Sequence, residues 1–465
     1  MENSRLLRLL RSFSPVELRN FKKFLGTPFF NQRREALALF DLLEKTLKTG
    51  QDAPEKQAAY RRIFGAGAPD DHRVRLAMSH LYKLAARFLA IQDFLDDTPA
   101  VQRRVARAFQ NRRLPEMARL ALAEAEEARL RQPLRNVDFY EEQYRTALEV
   151  NRIAVAGQLT DAIDFQQLSN HLDLAFLTQK LWHSCFMLSH QAVANTRYDF
   201  GLLDAALEYA ERSGALEIPA VALYYYCYRA LTEASEHAHF QQFKNLLLTH
   251  DRLFPAEERR DLFILAINFC IRQYNAGNSA YLREQFDFYQ AGLERKYFLT
   301  DGVLSRYTYL NAATSGMALQ ELDWAERFIH DYRDYLPEAH RESLFSFNLA
   351  RLEYQRQARG NALQLLQKTD YKDLPLSLAA KTLQLKIFYE LGEYDLLESH
   401  LKAFGAFIRR KKMLGYHRTN YLNTVFFTQK LLELNRYDKN AVATLRREVE
   451  DTAAVAEKEW LLGML

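Results

Sequence analysis

Three asparagines recur along the C-terminal half of this chain, at Asn268, Asn311 and Asn348, separated by 43 and 37 residues. A primary amide offers two donors and an acceptor, so a column of amides on one face can pair with the backbone of an extended peptide. Arg351 follows Asn348 by three residues, which on a helix is the same face. A guanidinium there would add a charge-assisted bond to a carboxylate. Tyr274, Tyr354 and Tyr389 recur in the same frame and give that face a polar-aromatic character. The competing expectation is that the amides bridge helices or cap turns, because buried amides usually find local partners. A groove requires all three amides to be accessible and aligned.

Other chemistry is looked for and not found. The sequence has no phosphate-binding glycine loop, no dinucleotide fingerprint, no His-Glu-x-x-His, no Cys-x-x-Cys and no Gly-x-Ser-x-Gly elbow. In Glu236-His237-Ala238-His239 the two histidines are two apart and point to different sides of a helix. His183 and His190 are seven apart, but no third ligand is in sight. Carboxylates are spread evenly, and no pair stands out. The expectation is therefore a protein that is not an enzyme and carries no cofactor and no metal. One basic cluster, Arg409, Arg410, Lys411 and Lys412 with Tyr416, His417 and Arg418 behind it, fits the favourable charge at a helix C-terminus. Its alternative is a phosphate contact beside stacking rings.

The asparagines take their register from a small buried position. Counted along the chain it runs Cys185, Cys227, Cys270, Ala313, Ala350 and Leu385, at spacings of 42, 43, 43, 37 and 35. Each asparagine falls two residues before it. In the last three units an apolar residue follows 12 positions later, at Ala325, Ala362 and Leu397. A small residue on a first helix, a short turn and an apolar residue on a second helix is the hairpin unit of helical repeats. The shared position makes the three cysteines small core residues, separate from one another, rather than a disulfide or a metal site, since packed helices stand further apart than a disulfide reaches.

Around the repeats, residues 98–435, the sequence places an N-terminal helical module over 1–97 and a C-terminal capping helix over 436–465. In the module, Ser14-Pro15-Val16-Glu17 reads as a capping box, with helices near 33–48 and 54–64 and a break at Gly65, Gly67 and Pro69. Asp70 and Asp71 open a long helix with a heptad stripe from Val74 through Ala77, Leu81, Leu84, Phe88 and Ile91 to Leu95, expected to pack inside its own module. At the far end, Asp438 opens a last helix expected to run to Trp460, Leu461 and Leu462 and to cover the final apolar face.

The chain has 465 residues, with only 16 Gly and 11 Pro, and both residues break helices. Its net charge of +4 is uneven: residues 1–135 hold 26 Lys/Arg against 16 Asp/Glu. That excess is expected to be a solvated basic surface, and its alternative is contact with nucleic acid. No apolar stretch follows Met1, and no segment is long and apolar enough for a membrane span, so a cytoplasmic protein is expected.

Two segments, Leu322-Asp323-Trp324-Ala325-Glu326 before Pro337 and Glu390-Leu391-Gly392-Glu393-Tyr394, resemble tetratricopeptide-type repeats. The repeats are longer than the usual unit, and none carries the full signature. Phe13-Ser14-Pro15-Val16-Glu17-Leu18, then Pro28-Phe29-Phe30-Asn31 and Asn268-Phe269-Cys270-Ile271-Arg272, resemble segments of an uncharacterised bacterial family of helical-repeat proteins. The stretch from Leu6 to Leu25 is also similar to the opening of pyrin-type death-fold modules. The first two resemblances imply an all-α, right-handed solenoid of helical hairpins and bring no activity with them. The expected role is a scaffold or adaptor that binds a protein or peptide partner in its concave groove, with Asn268, Asn311, Asn348, Arg351, Tyr274 and Tyr354 in contact with it. The alternative is a nucleic-acid-binding repeat protein that uses its basic N-terminal third.

Overall fold

The computed structural model describes residues 1–49, 54–65, 68–157, 163–194, 196–233, 235–411 and 415–465. Gly67 and Lys412, named above, lie outside the described residues, as do the side chains of Tyr416 and His417. Among the described residues there are 23 α-helices and one short β-hairpin.

The first five helices are α1 (Arg5–Arg11), α2 (Pro15–Leu25), α3 (Arg34–Thr49), α4 (Lys56–Phe64) and α5 (Asp71–Asp96). The capping box forms as read. The Ser14 hydroxyl accepts from the Glu17 amide at 3.2 Å, and the Glu17 carboxylate accepts from the Ser14 amide at 2.6 Å. These contacts satisfy amides that open every helix without a partner, and they hold the Glu17 carboxyl below its usual range. Asp70 caps α5 through the amides of His72 and Arg73. The heptad stripe packs within these helices: Ala77, Leu81, Leu84 and Phe88 are buried in one apolar cluster with Leu10, Phe21 and Phe40, Val74 is buried in a smaller one with Ala59 and Tyr60, and Leu95 is exposed.

The chain then continues through α6 (Thr98–Asn111), α7 (Pro115–Arg131), α8 (Val137–Ala156), α9 (Phe165–Ala194), α10 (Leu203–Arg212) and α11 (Pro219–Thr232). Compactness divides the molecule differently from the sequence. One unit comprises Met1–Arg229 with Arg252–Phe254, and the other Ala230–Asp251 with Pro255–Leu465. Residue 97 is a helix junction inside the first unit, where Asp97 caps α6 and α5 packs on α6.

In the second unit follow α12 (His237–His250), α13 (Ala256–Asn275), α14 (Tyr281–Glu294), β1 (Leu299–Thr300), β2 (Val303–Leu304), α15 (Arg306–Ala318), α16 (Leu322–Asp331), α17 (Arg341–Gln355), α18 (Arg359–Gln367), α19 (Leu374–Leu391), α20 (Tyr394–Arg410) and α21 (Gly415–Glu433). The hairpin turns on Asp301 and Gly302, both with positive φ, as a two-residue turn between paired strands requires. Consecutive helices pack as pairs, α13 on α14, α15 on α16, α17 on α18 and α19 on α20, and α17 also touches both α15 and α19. The small position and its partner 12 residues on are fully buried in all three of the last pairs: Ala313 with Ala325, Ala350 with Ala362, Leu385 with Leu397.

The expected single last helix is two helices, α22 (Lys439–Asp451) and α23 (Lys458–Gly463). Asp438 caps α22 as read. The break between them is held from α21: the Asn423 amide donates to the Ala454 carbonyl at 2.9 Å and the Thr424 hydroxyl to the Ala456 carbonyl at 2.6 Å. Glu457 turns the chain in a left-handed conformation, φ 57°. Leu461 still reaches the core of α19–α21, so the covering role falls to a short helix after a bend.

Candidate functional site

The most chemically pointed cleft of the second unit lies among α15, α17, α19 and α21, closed by the bend before α23. It encloses about 470 Å³. Three of the six residues singled out above meet there: Asn311, Arg351 and Tyr354. They are joined by Thr314, Lys386 and Glu457. The elements that carry them are tied at their base, where Arg306 at the start of α15 donates to Asp373, the cap of α19, at 3.1 Å.

Arg351 is the central group. One of its terminal nitrogens donates to the Thr314 hydroxyl at 2.6 Å, and that hydroxyl in turn donates to the Leu310 carbonyl at 2.6 Å. The guanidinium lies 5.7 Å from the centre of the Phe347 ring. Among the described residues it has no carboxylate partner. Loss of solvent lowers its pKa, and Glu457 is the one charge that counters this. An arginine stays protonated under such a shift. Glu457 is itself engaged, since Lys386 holds its carboxylate at 2.8 Å. The cleft therefore keeps one positive charge that no local acid neutralises.

The aromatic wall is fixed by its own bonds. The Tyr354 hydroxyl donates to Glu390, which also takes Arg359 at 2.8 Å and the Trp460 indole at 2.8 Å. Burial first, then the Glu390 hydrogen bond, pushes the Tyr354 hydroxyl well above its usual pKa, so it remains a neutral donor. Lys386 sits over the Tyr354 ring at 5.2 Å, within cation–π range.

The proposed column of amides does not form. Asn268 and Asn311 are exposed, but Asn348 is fully buried, and neither atom of its amide has a hydrogen-bond partner. On α17 it shares a row with Leu344 and Leu352, both buried, and the row that faces the cleft is Phe347, Arg351 and Tyr354. Asn268 and Tyr274, both exposed on α13, are not among the residues that line the cleft.

The residues missed from sequence are Thr314 and Lys386. Both stand one position after the small buried site, as Arg351 does, and all three line the cleft. Three polar residues at a fixed offset were a signal available in the sequence.

The other candidates resolve into local bonding. His237 meets the Tyr281 hydroxyl at 2.8 Å, while His239 pairs with Glu233 at 3.0 Å, so the two rings serve different partners. No group of three metal-ligating side chains occurs among the described residues. His190 bonds the Tyr198 hydroxyl at 2.8 Å. Arg418 donates to the carbonyls of Arg409 and Lys411 at 2.8 and 3.2 Å, which closes the end of α20. The cysteines are free and buried. Burial pushes the thiol pKa of Cys185 and Cys270 up, so both stay protonated. Cys185 and Cys227 are not separated, however. Their thiols face one another, and the Cys185 thiol donates to the Tyr224 carbonyl at 3.3 Å. No described helix is long and apolar enough to cross a membrane.

Comparison with protein-family models, with curated proteins and with solved structures gives no match for this chain.

Proposed function

We propose that this protein is a non-enzymatic helical-repeat scaffold, of the tetratricopeptide-like kind, that binds a protein or peptide partner through the cleft of its second unit. The pairing of consecutive helices and the buried small position at a constant offset support the repeat reading. One observation carries the binding reading: Arg351 stands in a cleft of about 470 Å³ with no carboxylate partner among the described residues, beside an acid that a lysine already occupies. A buried charge is usually paired, and a planar guanidinium is suited to a carboxylate. The partner supplies that carboxylate, from a chain terminus or an acidic side chain. The exposed Asn311 amide at the rim is placed to bond the peptide backbone next to it, and Tyr354 and Phe347 offer ring faces to an apolar neighbour.

The test is a library of immobilised peptides, each present with a free C-terminus and as its amidated copy, probed with the full chain. Peptides with free carboxylates are expected to be retained, and Arg351→Gln to weaken them by about tenfold while leaving the melting temperature near that of the parent. Arg351→Lys keeps the charge without the fork and should fall between the two. Equal retention by the parent and Arg351→Gln would place the partner on another face.

A further inference from the structure

A second cavity, of about 460 Å³, lies inside the first unit between α7, α8 and α9. Its wall is built from three helical stripes. On α7 these are Arg119, Leu122 and Glu126, on α8 Gln143, Thr146 and Val150, and on α9 Gln167 and His171. Leu122, Val150 and Ile153 make most of one side apolar. What sets the cavity apart is the polar groups around it. Gln143 Oε1, Thr146 Oγ1 and His171 Nδ1 are all sealed from solvent and have no hydrogen-bond partner, and the same holds for Arg129 Nη1 next to them. Thr146 is only 4% exposed and Arg129 only 2%.

Thr146 is the informative member. A threonine inside a helix normally satisfies its hydroxyl by donating to the carbonyl four residues back. Thr178, Thr314, Thr382 and Thr428 all do so in this chain. Thr146, in the middle of α8, does not, and it stands on the cavity wall. Three orphaned groups on the residues of one pocket wall are each destabilising if nothing meets them. Single orphans are tolerated in folded proteins, but a converging set beside an apolar wall is how small-molecule sites are built.

The charges around the cavity decide what kind of molecule fits. Glu126 holds Arg129 through two bonds, at 2.8 and 2.5 Å, so the arginine's charge is already matched. Its guanidinium also stacks on the Phe139 ring at 4.3 Å. Arg119 pairs with Glu116 at 3.1 Å. His171 faces Arg129, Glu126 and Asp164, and burial, aided by Arg129, lowers its pKa. It is therefore a neutral ring with one nitrogen to offer. An anion would find no free cation here, and a cation no free acid. Gln143 supplies an acceptor, Thr146 can act either way, and His171 follows its tautomer.

We propose that this cavity binds a small neutral molecule that carries a carbonyl acceptor beside an N–H donor on an apolar ring, that is, a planar amide or lactam. The head group meets Thr146, Gln143 and His171 once small side-chain rotations turn their orphaned atoms toward the pocket, and the ring lies against Leu122, Val150 and Ile153. The site is independent of the peptide cleft and adds a small ligand to a protein otherwise read as a scaffold.

The experiment titrates the full chain at neutral pH with benzamide, benzoate, benzylamine and toluene, followed by calorimetry and by melting temperature. Benzamide is expected to bind and to raise the melting temperature, with the other three weaker by about tenfold. Thr146→Val keeps the shape and removes the orphaned hydroxyl. It should leave the ligand-free protein as stable or more so and weaken benzamide by about tenfold. Ala123→Trp, at an exposed point of the wall, fills the space without touching the core and should abolish binding whatever Thr146→Val does to folding. The proposal fails if toluene binds as well as benzamide, which would mean an apolar void. It fails equally if benzoate is preferred, if either variant leaves benzamide binding unchanged, or if benzamide does not bind at all.

Discussion

At the scale of single residues, Asn348 is the one side chain among the described residues of the second unit with two orphaned atoms, and it is a direct test of the packing there. It is fully buried, and both atoms of its amide lack partners. Leu matches Asn in branching and heavy-atom count and has no polar atoms, so Asn348→Leu should stabilise the protein by about 1–2 kcal/mol, read from chemical denaturation. A loss of stability instead would show that water or a neighbour satisfies the amide in solution. The residue also explains why the site was only half legible. The sequence register located the small buried position correctly, at Ala313 and Ala350, both fully buried. It then took the position two before as the open one. Positions two before and one after are three residues apart, so they lie only about 60° apart around the helix. Periodicity cannot decide which of two adjacent stripes faces the cleft, because the crossing angle of the neighbouring helix decides it. Asn311 falls on the open side and Asn348 on the closed one, while Arg351, read onto the same face as Asn348, lies on the neighbouring stripe that lines the cleft.

At the scale of elements, the helices were legible wherever a local signal starts them. Ser14, Asp70 and Asp438 each cap the helix they were read to open. The bend between α22 and α23 was not, because nothing local makes it. The segment from Thr452 to Glu457 has no Gly or Pro. Bonds from Asn423 and Thr424 on α21 hold it open, and tertiary contacts of this kind override helix propensity. The contact of α15 with α16 is equally tertiary. Gly316 sits where a Cβ would come within 2.9 Å of the Trp324 ring. That ring cannot easily retreat, being stacked on Phe328 at 5.1 Å and edge-on to Phe286 at 4.7 Å. In an exposed helix Gly→Ala gains about 1 kcal/mol. Here Gly316→Ala should lose about 1–3 kcal/mol through overpacking. A melting temperature equal to or above the parent's would mean that the two helices are free to move apart.

At the scale of the whole molecule, the charge asymmetry seen along the chain weakens once the fold assigns partners. The first 135 residues alone suggest an excess of ten positive charges, with 26 Lys/Arg against 16 Asp/Glu. The compact unit that contains them runs to Arg229 and includes Arg252, and over those residues the count is 33 Lys/Arg against 28 Asp/Glu, a net of +5. The second unit then holds the remaining 30 against 31, a net of −1. The compensation is structural as well as numerical. Arg103 and Arg107 on α6 pair with Glu142 and Glu149 on α8, acids that lie beyond the basic stretch. Lys22 binds both Asp41 and Glu44, and Lys56 binds Asp71. A cation already held by a carboxylate releases few counterions on meeting a phosphate, and counterion release supplies most non-specific affinity for nucleic acid. Duplex DNA or RNA should therefore bind weakly at low salt and be lost by about 0.2 M salt. Peptide capture, which rests on one desolvated guanidinium and neutral groups, should change little over the same range, because a charge withdrawn from solvent is poorly screened. Fluorescence anisotropy with a labelled duplex and a labelled carboxylate peptide, each titrated across that range, separates the two readings. A duplex that binds tightly and loses affinity steeply with salt, while Arg351→Gln leaves it untouched, would make the first unit the functional surface instead of the Arg351 cleft.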